Sequence, residues 1–179
     1  MSKDKALLVV DVQNGVVDWE DPSCRGVEVL ERIGELIGRA RASGTPVVYV
    51  QHDGDDGGRL AVGSHDWQIH PAVAPADGEL VVRKRASDSF YETALQSELD
   101  GRGVRHLVVV GCRTQYCVDT TCRRATTLGY DVTLAADAHT TAGDVLTAEQ
   151  IIAHHNSTLD DFGNERHVVS VRESADIFF

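Results

Sequence analysis

The stretch His106-Leu107-Val108-Val109-Val110-Gly111-Cys112-Arg113-Thr114-Gln115-Tyr116-Cys117-Val118-Asp119-Thr120-Thr121-Cys122-Arg123-Arg124 reads as strand, tight turn, helix. Leu107 to Val110 is an unbroken apolar run of the kind found in strands covered on both faces, and Gly111 marks the point where the backbone turns. Val118, Cys122, Ala125 and Thr126 then recur at helical spacing, which puts Cys117 in the first turn of a helix beside the end of a buried strand. Unpaired N–H groups and the positive end of the helix dipole favour a thiolate there. They are expected to pull the thiol pKa from about 8.5 towards 7 or below.

Outward from this stretch the chain alternates strand and helix patterns. Strand candidates are Ala6–Val10, Val47–Val50, Leu80–Val82, Leu107–Val110, Asp131–Ala135 and His167–Val171, and helix candidates are Val27–Ala42, Glu92–Leu99, the segment after Cys117 and Ala148–Leu159. This pattern predicts an α/β, three-layer Rossmann-like fold: a six-stranded, mostly parallel sheet with helices on both faces. Sites in such sheets form beyond the carboxyl ends of the strands. Asp11, Lys84 and Cys117 all sit at such ends or just past them. The loop-like run from His52 to Gly78 is long enough to be expected to cover a site.

The 179 residues are expected to form one domain, 1–179, able to bury roughly 70% of the unfolded surface. Against 17 Lys plus Arg stand 28 Asp plus Glu, a net charge of -11 that disfavours nucleic acid and anionic membrane as partners. No apolar run approaches the length of a membrane span and no signal peptide is readable, so a soluble cytoplasmic protein is expected, with Cys24, Cys112, Cys117 and Cys122 as reduced thiols. Cys112 is expected to pack at its strand end. Cys122 points about 140° around the helix from Cys117, and Cys24 sits in a loop without a readable role.

Taken singly, the three reactive residues have ordinary readings: Asp11 capping a turn, Lys84 as a solvated charge, Cys117 as a small buried apolar side chain. Together, in the contexts Leu8-Val9-Val10-Asp11-Val12-Gln13-Asn14, Val81-Val82-Arg83-Lys84-Arg85 and Gly111-Cys112-Arg113-Thr114-Gln115-Tyr116-Cys117-Val118, they resemble the isochorismatase-like cysteine hydrolases, relatives of nicotinamidases and N-carbamoylsarcosine amidases. The resemblance covers nearly the whole chain. It implies an Asp11–Lys84–Cys117 triad, a cis peptide bond between Cys112 and Arg113, backbone N–H groups of Arg113 and Cys117 as an oxyanion hole, and a homodimer or homotetramer. In chemical terms, a neutral thiol needs a base to take its proton and a cation to favour the thiolate, roles open to Asp11 and Lys84.

Metal-binding members of that family carry Asp-x-His after the second strand. Here Gln51-His52-Asp53 is followed by His65 and His70 without that motif, so no metal and no other cofactor is expected. His154-His155-Asn156 is expected at the surface or an interface. Trp67, His70, Tyr91, Arg113 and Tyr116 are the candidate substrate-binding residues, with Arg113 suited to a carboxylate or ureido oxygen.

The leading expectation is a cysteine-dependent C–N hydrolase of the amidase or carbamoyl amidohydrolase type, working on a small amide or ureido compound through a thioester. Alternatives are isochorismatase-type vinyl ether hydrolysis, which does not need the thiol, and an inactive small-molecule-binding relative that kept the fold. A dinucleotide-binding protein is disfavoured, because Asp11-Val12-Gln13-Asn14-Gly15 stands where a Gly-x-Gly-x-x-Gly loop would follow the first strand.

Overall fold

The computed structural model describes residues 4–17 and 25–179. Cys24 lies outside the described residues. The chain order is β1 (Lys5–Val10), α1 (Asn14–Val17), α2 (Gly26–Ser43), β2 (Val47–His52), β3 (Leu80–Lys84), α3 (Leu95–Gly101), β4 (His106–Cys112), α4 (Asp119–Thr127), β5 (Asp131–Thr140), α5 (Ala148–Leu159) and β6 (Val169–Arg172). All six strands pair in parallel, in the order β3-β2-β1-β4-β5-β6.

Alternate residues of the central strands feed two cores. Leu7, Val9, Tyr49, Val108 and Val110 face Val29, Ile33, Leu36, Ile37 and Ala40 of α2. Leu8, Val10, Val48, Val50, Leu107 and Val109 face Leu95 and Leu99 of α3, Cys122 and Ala125 of α4, and Leu159 of α5. This is the period-two division expected of strands buried on both faces, and it makes the three layers. Cys112 and Cys122 are both fully buried packing residues in these cores.

Several strands run one or two residues beyond the expected ranges, β2 to His52 and β3 to Lys84 among them, and three further boundaries depart for a local reason. The helix expected from Glu92 begins at Leu95, because Glu92 has φ 53 in the left-handed region and cannot join a right-handed helix. β5 runs on past Ala135 to Thr140, re-pairing Gly111 with His139 and Cys112 with Thr140 after an irregularity between Val109 and Gly111. β6 starts at Val169, since Asn164 accepts the backbone N–H of Arg166 and His167 in a turn that precedes it.

The chain moves outward from β1 through β2 to β3, then returns to the other side of β1 as β4. The crevice between the carboxyl ends of β1 and β4 is thus the point where the sheet's winding reverses, the usual place for a ligand. At that point the two strands approach closely. Gly111 has φ +125, and a Cβ there would lie 2.0 Å from the Val10 carbonyl oxygen. Gly111→Ala is therefore expected to destabilise the protein by about 3 kcal/mol or more, or to stop it folding. Gly101→Ala, at the end of α3 where the added Cβ meets nothing within 4 Å beyond its own helix and chain neighbours among the described residues, is expected to leave the protein as stable or slightly more stable. Urea midpoints of the two variants check the contrast, and similar midpoints would contradict it.

Candidate active site

Asp11 is the first residue after β1. It has φ 49, donates its N–H to Val50 O at 2.9 Å and is 2% exposed. Lys84 ends β3 with its side chain fully covered. Cys117 lies in a single wide turn, Thr114–Val118, which Tyr116 and Val118 close by donating their N–H groups to Arg113 O at 3.1 and 3.2 Å. α4 proper begins only at Asp119. Cys117 thus precedes the α-helix, and the first helical turn expected there is a π turn. The Cys112–Arg113 peptide bond is cis, as the resemblance implies.

The three side chains meet. Lys84 Nζ lies 2.7 Å from Asp11 Oδ2 and 3.2 Å from Cys117 Sγ, and it also donates to Ala86 O at 2.8 Å. Asp11 Oδ1 is buried with no hydrogen-bond partner among the described residues. Burial pulls the Lys84 pKa down, but the Asp11 carboxylate, with the Cys117 sulfur beside it, outweighs burial and holds the ammonium above its ordinary value.

The thiol behaves otherwise than expected. Burial first, and then the Asp11 carboxylate, push the Cys117 pKa up to about 12 against the downward pull of Lys84. The resting Cys117 side chain is a protonated thiol, because desolvation of sulfur and a neighbouring anion exceed anything the turn's N–H groups supply. Buried Cys112 and Cys122 are raised as well, by loss of solvent.

A cavity of about 340 Å³ opens on Cys117, lined by Asp11, Gly15, Val16, His52, Arg59, Leu60, Ser87, Arg113 and Tyr116 among others. Of the substrate-binding candidates, Arg113 and Tyr116 are there, Tyr116 with 52% of its surface exposed. Tyr91 instead lines a neighbouring cavity of about 270 Å³ with Arg83, Lys84 and Arg85. Trp67 and His70 line neither. Trp67 Nε1 donates to Asp53 Oδ1 at 3.0 Å, Arg83 stacks 4.4 Å from its ring, and its carbonyl accepts from both Gln13 and Gln51. His70 Nδ1 accepts from Ala72 N–H at the start of a short 3₁₀ turn. Both shape the long loop, which reaches the cavity through Arg59 and Leu60 and through His52 at its start.

Two groups important to this geometry were not singled out by the sequence. Gln13, fully buried, clamps the His52 backbone by accepting its N–H at 2.9 Å and donating to its carbonyl at 3.0 Å. His139, also buried, lies 2.8 Å from Thr114 Oγ1 through Nδ1 and 2.8 Å from Asn156 Oδ1 through Nε2. Asn156 commits its amide N–H to Ala136 O, so the Nε2–H of His139 donates to Asn156 and the Thr114 hydroxyl donates to Nδ1. Burial keeps this imidazole neutral, with its pKa lowered to about 4. Asn156 therefore serves the inside of the protein, where the sequence suggested surface. The only available signal was a helical polar residue one step from two others.

These pKa directions give a test. Iodoacetamide is expected to modify Cys117 before Cys112 or Cys122, and the Cys117 rate should keep climbing through pH 9, since the thiol is raised and deprotonates only as pH rises. A rate that levels off below pH 7, followed by mass spectrometry of the labelled peptides, would instead mean a thiolate already formed.

Comparison with known proteins gives a consistent picture. The chain is 42% identical over 137 residues to a streptothricin hydrolase of Streptomyces noursei, covering 76% of this chain and 50% of that protein. It thus spans about half the length of that relative. It is 29% identical over 203 residues to the ureidoacrylate amidohydrolase RutB of Variovorax paradoxus, covering 90% of this chain and 81% of that one. The crystal structure of a cysteine hydrolase from Pseudomonas syringae pv. phaseolicola superimposes with a TM-score of 0.79 at 25% identity, over 97% of this chain and 90% of that one. The family model of the isochorismatase domain matches residues 5–158, and with this fold and these strand-end residues the chain belongs to the isochorismatase family.

Proposed function

We propose that the protein is a cysteine-dependent C–N hydrolase that cleaves a small amide or ureido compound through a thioester. The observation that carries this reading is the buried ammonium of Lys84 held between Asp11 Oδ2 at 2.7 Å and Cys117 Sγ at 3.2 Å on the wall of a cavity. The names of the relatives, a hydrolase and an amidohydrolase, and of the structural neighbour, a cysteine hydrolase, support it.

In this mechanism the Cys117 proton passes to Asp11 as sulfur attacks the substrate carbonyl, and Lys84 compensates the charge that develops on sulfur. The N–H groups of Arg113 and Cys117 receive the oxyanion. Asp11 then returns the proton to the departing nitrogen, the C–N bond breaks, and a thioester remains. Water, deprotonated by Asp11, hydrolyses it. A thiol that ionises only on demand suits such a concerted use of Asp11. Arg113 and Tyr116 are the proposed substrate contacts, with Arg113 meeting a carboxylate or ureido oxygen bidentately. A cavity of about 340 Å³ suits a small molecule. Vinyl ether hydrolysis would leave the Cys117 thiol without a task, and no observation favours it.

Ammonia release screened across small amides and ureido acids tests the reading. Cys117→Ala is expected to lower turnover by about a thousandfold or more, and Asp11→Asn and Lys84→Met by at least about a hundredfold each. Single variants that stay within tenfold of the parent would sink the triad. The activity is expected to survive EDTA; loss that zinc or iron restores would overturn this.

We also propose a homodimer or homotetramer whose partner subunit covers the exposed Tyr116 at the cavity mouth, a closed arrangement that gives every site the same neighbour. Ile151 of α5 is 7% exposed and Asn156 is engaged within the subunit, so less of that helix is free for contact than its sequence suggests. Light scattering after gel filtration decides the matter. A 19.4 kDa species fully active at nanomolar concentration would rule out a shared site.

A further inference from the structure

The Lys84 ammonium has three hydrogens, and four acceptors stand within reach of it. Asp11 Oδ2 at 2.7 Å and Ala86 O at 2.8 Å are short contacts to strong oxygen acceptors, and each takes one hydrogen. The third is contested between Cys117 Sγ at 3.2 Å and His52 Nδ1 at 3.3 Å. His52 closes β2 as the register partner of Lys84, its backbone is fixed by Gln13, and it lines the same cavity as Cys117. The mechanism above gives it no task.

We propose that His52 is a positioning residue: in the resting protein the third hydrogen of Lys84 rests on His52 Nδ1, and it swings to Cys117 Sγ when the thiol ionises. The proposal rests on the reading of Cys117 as nucleophile. A protonated thiol is a weak acceptor and a neutral imidazole nitrogen a better one, so the resting preference follows from the chemistry of the two atoms. His52 is neutral at neutral pH, its pKa lowered by burial and then by the Lys84 charge, against the opposing carboxylates of Asp11, Asp53 and Asp55. With Nδ1 accepting, the hydrogen of the ring sits on Nε2, which leaves an N–H on the imidazole as a donor for a ligand in the cavity.

The balance is simple. The S–H bond of Cys117 breaks and an O–H bond forms on Asp11, while Lys84 stays an ammonium throughout and changes only the acceptor of one N–H. The consequence is a nucleophile kept quiet between turnovers, because the cation beside it spends its free donor elsewhere until a thiolate competes for it.

Gln and Met have side chains of nearly equal length and shape, and only Gln offers a strong acceptor. His52→Met should therefore give the third hydrogen wholly to sulfur and raise the rate of Cys117 alkylation by iodoacetamide at pH 8 by about tenfold over His52→Gln, one pKa unit of the thiol. His52→Gln should stay near the parent rate. Equal rates in the two variants, with both folded by circular dichroism, would overturn the proposal. A second measurement needs no stable Met variant: nitrogen-15 shifts of histidine-labelled protein, with the His52 signals assigned by their loss in His52→Gln. A bare Nδ1 and a protonated Nε2 are expected, and a hydrogen on Nδ1 would overturn the proposal. Neither readout involves turnover, so a failed substrate screen leaves both standing.

Discussion

An ammonium and a carboxylate withdrawn from water together set the terms for the rest of this site. Lys84 and Asp11 have side chains 0% and 3% exposed at 2.7 Å separation. Either charge alone would carry a desolvation cost of several kcal/mol, and the pair persists because each partner offsets the other's cost. The sheet makes this possible by geometry. β3 and β1 are separated by β2, two strand spacings or about 9–10 Å. A long side chain from β3 must therefore cross the end of β2 to reach a short one from β1, and a lysine at the last position of an edge strand does this. The residue it passes is the last of β2, which is His52. The contact between His52 and Lys84 is thus a consequence of strand order and register, which is why a residue of no evident chemical signature in the sequence stands in the middle of the site.

The same logic explains why the parallel sheet and the strand-end position of Cys117 were readable from sequence while the strand order and the electrostatics were not. Apolar runs of period two, helices between them and a glycine closing the run at Val110 report directly on strands, crossovers and a turn, because each is a local steric or solvation effect. The approach of Gly111 to the Val10 carbonyl belongs to this class: only a residue without Cβ fits, and the glycine is visible. The pKa of Cys117 depends on burial and on a carboxylate 106 positions away in the chain, and neither can be computed from Gly111 to Val118 alone. Reading the turn as a helix start gave the wrong direction, since the α-helix begins at Asp119 and the dipole at the end of a helix is a small effect beside desolvation.

The aromatic candidates illustrate a different limit. Trp67 was singled out because large aromatics line pockets, but an indole N–H that finds a carboxylate and a guanidinium stacked on its face is as well satisfied holding a loop together. Its carbonyl, not its ring, matters to the site. That carbonyl receives Gln13 and Gln51, and Gln13 in turn fixes the His52 backbone. Asn156 and His139 are the converse case: two polar residues far apart in sequence, plain by themselves, which meet in the interior and fix Thr114 at the start of the turn that carries Cys117. Residue type reports on chemistry only when the partner is known, and partners across a sheet are set by register.

A protonated thiol beside a fully charged lysine also constrains what the carboxylate can do. Asp11 has one oxygen spent on Lys84 and one, Oδ1, buried without a hydrogen-bond partner among the described residues. An unmet buried acceptor costs about 1–3 kcal/mol, and a folded protein keeps such an atom where something gains from it. In the proposed mechanism the gain is in the transition state. The thiol already interacts with the Asp11 carboxylate, which opposes thiolate formation while substrate is absent, and the proposed mechanism makes the same carboxylate the proton acceptor once sulfur finds a carbonyl carbon. Proton transfer then satisfies Oδ1, removes the anion that opposed the thiolate and leaves Lys84 facing sulfur. Charge separation in the buried cluster thereby changes little from start to finish. Low-dielectric surroundings favour this kind of step, in which one proton moves a short distance and no net charge is created.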